Sequence, residues 1–216
     1  MFPIFTICFV IFLFIWNYRI RKSNGQQQTL EDSFWERERE ANLARRKDIS
    51  KLDYITIPEH LIPANPETAT EIEFASLQGQ KMLNLTGLSN TDLKMEYGVQ
   101  NLEELSAYDD TFTKFVRLLP EYAKELLAKD KLSEAKQLLE FGIEHKADSK
   151  AAFLQLAEIY KRLGQDDNIQ HLILVAGEIN SLSRLSIISA LQELQAPAAD
   201  SLENFTLKPI KHKEIP

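Results

Sequence analysis

The sequence predicts an all-α chain: an N-terminal transmembrane helix followed by a short helical solenoid. Three observations carry this. Met1 to Trp16 is an uncharged run dominated by Phe, Ile and Val. From about residue 66 onward, apolar residues recur with helical period between Gly, Pro, Asn and Asp punctuation. Near the C-terminus, Leu119, Tyr122, Ala123, Leu126, Ala135, Leu139 and Gly142 return 34 residues later as Phe153, Leu156, Ala157, Tyr160, Ile169, Ile173 and Ala176. The expected organisation is an anchor over 1–20, and a polar linker, juxtamembrane helix and extended segment over 21–64. N-terminal helices follow over 65–110, repeats with a capping helix over 111–196, and an extended tail over 197–216.

The apolar run spans about 24 Å as a helix, and about 30 Å when extended to Ile20. Trp16 and Tyr18 are placed as an interfacial aromatic pair. Arg19, Arg21 and Lys22 follow, and no Lys or Arg precedes the run. That asymmetry puts the N-terminus outside and the body in the cytoplasm, as a single-pass protein of the cell membrane. A signal peptide carries its basic residues before its apolar core, so the order here favours a retained anchor over a cleaved leader. The expected lipid contact is residues 1–20, with Trp16, Tyr18, Arg19, Arg21 and Lys22 at the interface.

Composition is globular, with 44% hydrophobic and 26% charged residues. The single cysteine, Cys8, excludes an internal disulfide and cysteine-based zinc sites. Between Asn17 and Lys51 there are 9 Lys/Arg against 6 Asp/Glu; from Leu52 onward there are 16 against 26. An acidic body opposes a nucleic-acid surface, and the basic excess beside the apolar run suits an anionic bilayer.

Ser23–Thr29 reads as a flexible spacer. Asp32 or Ser33 looks like the cap of a helix over Phe34–Lys47, with Glu36 completing a capping box. Lys51–Pro58 is expected to be extended and docked through Tyr54, Ile55 and Ile57. Asn65-Pro66 signals a helix to about Asn84, with Ile72, Ala75, Gly79 and Met82 as a narrow packing face. Ser89–Asp92 caps a helix that Gly98 stops, and Asn101 caps another. Thr111–Ala128 bears a strong helical stripe interrupted by Pro120, where the helix kinks or a new one begins. Ser133 is expected to cap the next helix. Further helices fall at Ala151–Leu163, from Asp166, and at Leu182–Gln195.

The 34-residue period, with small residues at Ala123, Ala135, Gly142, Ala157 and Ala176, resembles the tetratricopeptide repeat. The stretch Leu156–Gln165 (LAEIYKRLGQ) matches the family best, while Ile169 departs from its small-residue pattern. The resemblance implies about two and a half repeats plus capping helices, and covers about a third of the chain. The chain as a whole is similar to small bacterial membrane-anchored proteins with such repeats, a likeness that brings no established activity with it. In the family, first helices of successive repeats line a partner-binding groove. The matching positions are Arg117, Lys124, Leu127, Leu154, Glu158, Lys161, Leu185, Ile188 and Gln192. The carboxylate clamp of the best-known members is absent, because Pro120, Leu154, Lys124 and Glu158 stand where its Lys and Asn belong. An apolar helix or extended peptide is the expected guest.

Catalytic, cofactor and metal sites are not expected. His60, His145, His171 and His212 are scattered, the seven glycines are isolated, and Asp109-Asp110 suits a turn or cap better than acid–base chemistry. The expected function is a membrane-anchored, non-catalytic adaptor for a protein or peptide. The alternatives are a structural subunit of a larger membrane complex and, less favoured, an enzyme of unrecognised type.

Overall fold

The computed structural model describes the backbone of residues 2–195 and the side chains of residues 8–19 and 29–195. The expected extended tail at 197–216, and the side chains of Arg21 and Lys22, lie outside the described residues. Among the described residues the regular structure is helical, with one isolated antiparallel bridge between Ile55 and Met82. The chain divides into two compact units.

The first unit comprises Met1–Leu52 and Leu88–Ser106. Its long helix α1 runs Phe2–Leu43 without a break. The flexible spacer expected at Ser23–Thr29 is therefore helical instead. A helix already nucleated on both sides extends through Gln26–Gln28 at little cost, since propagation avoids the nucleation penalty. Ser33 caps nothing; its hydroxyl donates back to the Leu30 carbonyl at 2.8 Å, inside the helix. The helix also stops at Leu43, four residues before the expected end. Among the described residues no helix is long and apolar enough to cross a membrane. Residues 8–19 of the apolar run have described side chains, and all are exposed.

Helix α3 (Asn90–Tyr97) begins and ends as the sequence indicates. Ser89 and Asp92 form a reciprocal capping box. Gly98 stops the helix at φ 87°, ψ 150°, a region open to glycine almost alone. Glu38 of α1 accepts hydrogen bonds from Lys94 and from Thr91 Oγ1, and Arg37 pairs with Asp92. The Lys94 ammonium holds the Glu38 carboxyl below its usual range. Ala41, fully buried, completes the α1 face that meets α3. A 3-10 turn, Val99–Asn101, follows. Asn101 is fully buried, and its side chain does not cap the next helix as expected. Its Nδ2 donates to the Lys47 and Tyr97 carbonyls at 2.7 Å each, and its Oδ1 accepts from Arg46 Nε at 3.0 Å. The buried amide thus gives the Lys47 carbonyl a donor and the Tyr97 carbonyl a second one beside the Lys47 amide.

The second unit comprises Asp53–Gly87 and the chain from Ala107. The helix expected over 66–84 shrinks to α2, Ala69–Ala75. Thr68, not Asn65, is its cap, in a box with Glu71. Gly79 at φ 70° turns the chain out of the helix, and Met82 becomes extended. Ile55 and Met82 exchange two backbone hydrogen bonds of 2.9 Å, which gives the 51–58 segment the partner its sequence alone does not show. The expected packing face fails with the helix: Ile72 is exposed, while Phe74 and Leu77 are fully buried.

Helix α4 (Leu102–Ala128) belongs to the first unit through Ser106 and to the second thereafter. It is continuous through Pro120, neither ending nor restarting there. Proline has no N–H, so the Val116 carbonyl lacks its intrahelical donor. Asp109 lies mid-helix and accepts from the Leu85 amide at 3.1 Å, so it is neither a turn residue nor a helix cap. Burial pushes its carboxyl above the ordinary range.

Helices α5 (Leu132–Glu144), α6 (Lys150–Arg162), α7 (Asp166–Gly177) and α8 (Arg184–Gln195) follow through short turns. Asp130 and Lys146 adopt left-handed conformations, as does Gly164. Helix α5 starts a residue before Ser133, with Lys131 in the cap position and no side-chain cap bond. Ser149 caps α6 through the Ala152 amide. The residues of the 34-residue echo are buried, except Ile173, which is half-buried beside the buried Leu172. Gly142 shows why a small residue is needed. A Cβ there would come 2.3 Å from Cδ2 of Leu119, so a larger residue would have to push the Leu119 side chain aside.

Candidate functional site

Short turns make α4 antiparallel to α5 and α5 antiparallel to α6, so α4 and α6 run parallel. Lys150 Nζ donates to Ser186 Oγ at 3.1 Å, and Lys161 Nζ to the Leu194 carbonyl at 3.2 Å. The start of α6 thus meets the start of α8 and its end meets the end of α8, so these two are parallel as well. At the α4–α6 seam, Gln155 Nε2 donates to the Pro120 carbonyl at 3.1 Å. Gln155 Oε1 is buried without a hydrogen-bond partner among the described residues, a polar cost at this seam.

The nine sequence-predicted groove residues lie on these three helices. Arg117, Lys124, Glu158, Lys161, Leu185 and Gln192 are exposed. Leu127, Leu154 and Ile188 are half-buried and pack on the core cluster. Arg117 is held by Glu73, which Lys114 also approaches at 3.8 Å. Its charge is therefore shared with α2. Glu158, Lys161 and Arg162 line a shallow depression. At the predicted membrane interface, Trp16, Tyr18 and Arg19 are exposed.

A second constellation was missed in the sequence. His60 to Asn65, Glu67 and Glu71 face α4 and α5 across a cavity of about 380 Å³. Glu71 is buried, and its oxygens are fully used. Oε1 accepts from Lys129 Nζ at 2.7 Å, and Oε2 from the Glu67 and Thr68 amides at 2.8 and 3.3 Å. Thr68 Oγ1 in turn donates to Glu125 at 2.6 Å. These bonds, Lys129 first, hold the Glu71 carboxyl below its usual range. The Thr-x-x-Glu pattern at 68–71 was the available signal, masked by the more conspicuous Asn65-Pro66. Since the folded carboxyl is the stronger acid, its contribution is complete above its ordinary value near 4.5 and fades as pH falls through the depressed folded value. Glu71→Gln is therefore expected to destabilise the protein at pH 7 and to flatten the loss of stability below pH 4.5. Urea melts at stepped pH check this.

The histidines do not converge. His60 lines the cavity, His145 packs edge-on against Phe141, and His171 is exposed; His212 lies outside the described residues. Among the described residues no group of three or more His, Cys, Asp or Glu is placed to hold a metal ion. Set against known proteins, the chain matches no family model, no curated protein and no solved structure.

Proposed function

We propose that this chain is a membrane-anchored, non-catalytic adaptor that presents a tetratricopeptide-like groove to the cytoplasm. The observation that carries the reading is the parallel set α4, α6 and α8, with apolar Leu127, Leu154 and Ile188 seated between exposed Arg, Lys and Glu. Such a stripe accepts an apolar helix or an extended peptide and orients it through its charged margins. The anchor is residues 1–20, with Trp16, Tyr18, Arg19, Arg21 and Lys22 at the headgroup level. Confinement to a bilayer raises the local concentration of the groove for a membrane-borne partner.

The test is proximity labelling and detergent pull-down with Leu154→Asp and Leu185→Asp variants. Loss of a reproducible partner, with helicity unchanged, is expected; unchanged recovery overturns the groove. Extraction of cell membranes with alkaline carbonate tests the anchor separately. The full chain should stay with the membrane, and a chain lacking its first twenty residues should leave it.

A fixed subunit of a larger membrane complex is the second reading. Leu174, Leu182 and Leu185 are strongly exposed at the C-terminal end of the described helices, as a permanent contact would require. Migration of all copies in one large assembly would favour it over transient capture.

A further inference from the structure

The cavity over the α4–α5 hairpin is separate from the groove reading and carries chemistry of its own. Its volume, about 380 Å³, lies within the range of small-molecule sites. Tyr122 lines it and is only 4% exposed as a residue, while its hydroxyl forms no hydrogen bond to the described residues and is not sealed from solvent. The oxygen is therefore available to a molecule in the cavity. The two lysines of the cavity are already neutralised, Lys129 by Glu71 at 2.7 Å and Lys131 by Glu134 at 3.0 Å. Glu67 is a third carboxylate in the wall, and the surplus charge is negative. Leu61, Leu126 and Leu138 supply an apolar wall for a carbon stem.

The geometry points to a binding site for an organic cation, an ammonium or guanidinium on a short aliphatic stem. Its N–H groups donate to the Tyr122 hydroxyl and to the Glu134 carboxylate, from which the half-exposed Lys131 side chain swings out to solvent, while the stem lies on Leu126 and Leu138. An anion would meet a surplus of carboxylates and no unpaired lysine. The field at the phenol agrees. Burial first, then the charges of Glu71, Glu134 and Glu125, push Tyr122 up to about 12, so it stays a neutral hydroxyl able to accept from a cation.

Two sources share this chemistry, a free amine and a Lys or Arg side chain of a peptide. Calorimetric titration of the full chain in detergent micelles separates them, using agmatine, N-acetyl-arginine amide and butyrate as probes. Binding of either cation at least tenfold tighter than butyrate is expected. Preference for agmatine assigns a free amine, and preference for the blocked arginine assigns a peptide side chain. Tyr122→Phe keeps the ring and should weaken the cation about fivefold, the loss of one hydrogen bond. Glu134→Gln, at a half-exposed position, should weaken it about tenfold without disturbing the fold. Absence of cation binding, butyrate binding as tight, or both variants binding like the parent overturns the proposal.

Discussion

Phe153→Ala is expected to lower stability by about 3–5 kcal/mol, the cost of removing a large ring from a close-packed interior. Phe153 is fully buried on α6 and belongs to the continuous core cluster with Leu119, Leu139 and Leu156. It stands 34 residues after Leu119, so the truncation empties the space where one helical pair meets the next. The neighbours cannot collapse freely, because the Leu119 side chain already packs directly on Gly142. Thermal denaturation followed by circular dichroism should show the midpoint falling by about 10 °C. Phe153→Leu should recover most of the loss, since it keeps most of the volume.

Gly98→Ala is expected to cost about 3 kcal/mol, the second-largest effect, and for a different reason. Two penalties add at this position. The backbone conformation suits glycine almost alone. A Cβ would also meet the backbone of Arg45 and Arg46 at 2.8–2.9 Å, and backbone cannot rotate aside as a side chain does. The segment would have to move, and with it the Asn101 hydrogen bonds to Lys47 and Tyr97. Gly164→Ala is the control. Gly164 also has a positive φ, but nothing lies within 4 Å of its added Cβ, so only the conformational strain of about 1 kcal/mol remains. Amide exchange in α3 should rise for the first variant and stay unchanged for the second.

The parts of this fold legible in the sequence are those whose signals are local. Ser89 and Gly98 bracket α3 because a cap bonds within three residues and a glycine stop acts where it stands. The helices after residue 131 were legible because each buries one stripe, and the buried residues recur at helical spacing, whereas the separate helices expected after Asn101 and over Thr111–Ala128 are one continuous helix, α4. The all-helical class follows from that. Illegible parts depend on partners far along the chain. The end of α2 is set by Met82 pairing with Ile55, and no propensity at Met82 announces it. Asn101 looked like a cap because it precedes a helix, but the carbonyls of Tyr97, at the end of α3, and of Lys47, after α1, claim its amide. Glu71 and Lys129 stand 58 residues apart, so their ion pair and the cavity beside it emerge only when α2 meets α4. The continuity of α1 was missed because Ser, Asn and Gly suggested a break. A single glycine costs only about 1 kcal/mol within a long helix, too little to end one.

The unbroken course of α1 makes it a ruler and a dial at once. Its 42 residues extend about 63 Å, and each advances the azimuth by about 100°. Leu30 and Phe34 fall within about 80° of Glu38 and Ala41 around the axis, so the two pairs share one meridian. Inserting one residue between Phe9 and Leu30 would swing the apolar end a quarter-turn or more from that meridian. Inserting seven would restore the bearing to within about 20° and merely lengthen the rod by about 10 Å. Orientation in this helix is counted in residues, and a flexible leash would keep no such count.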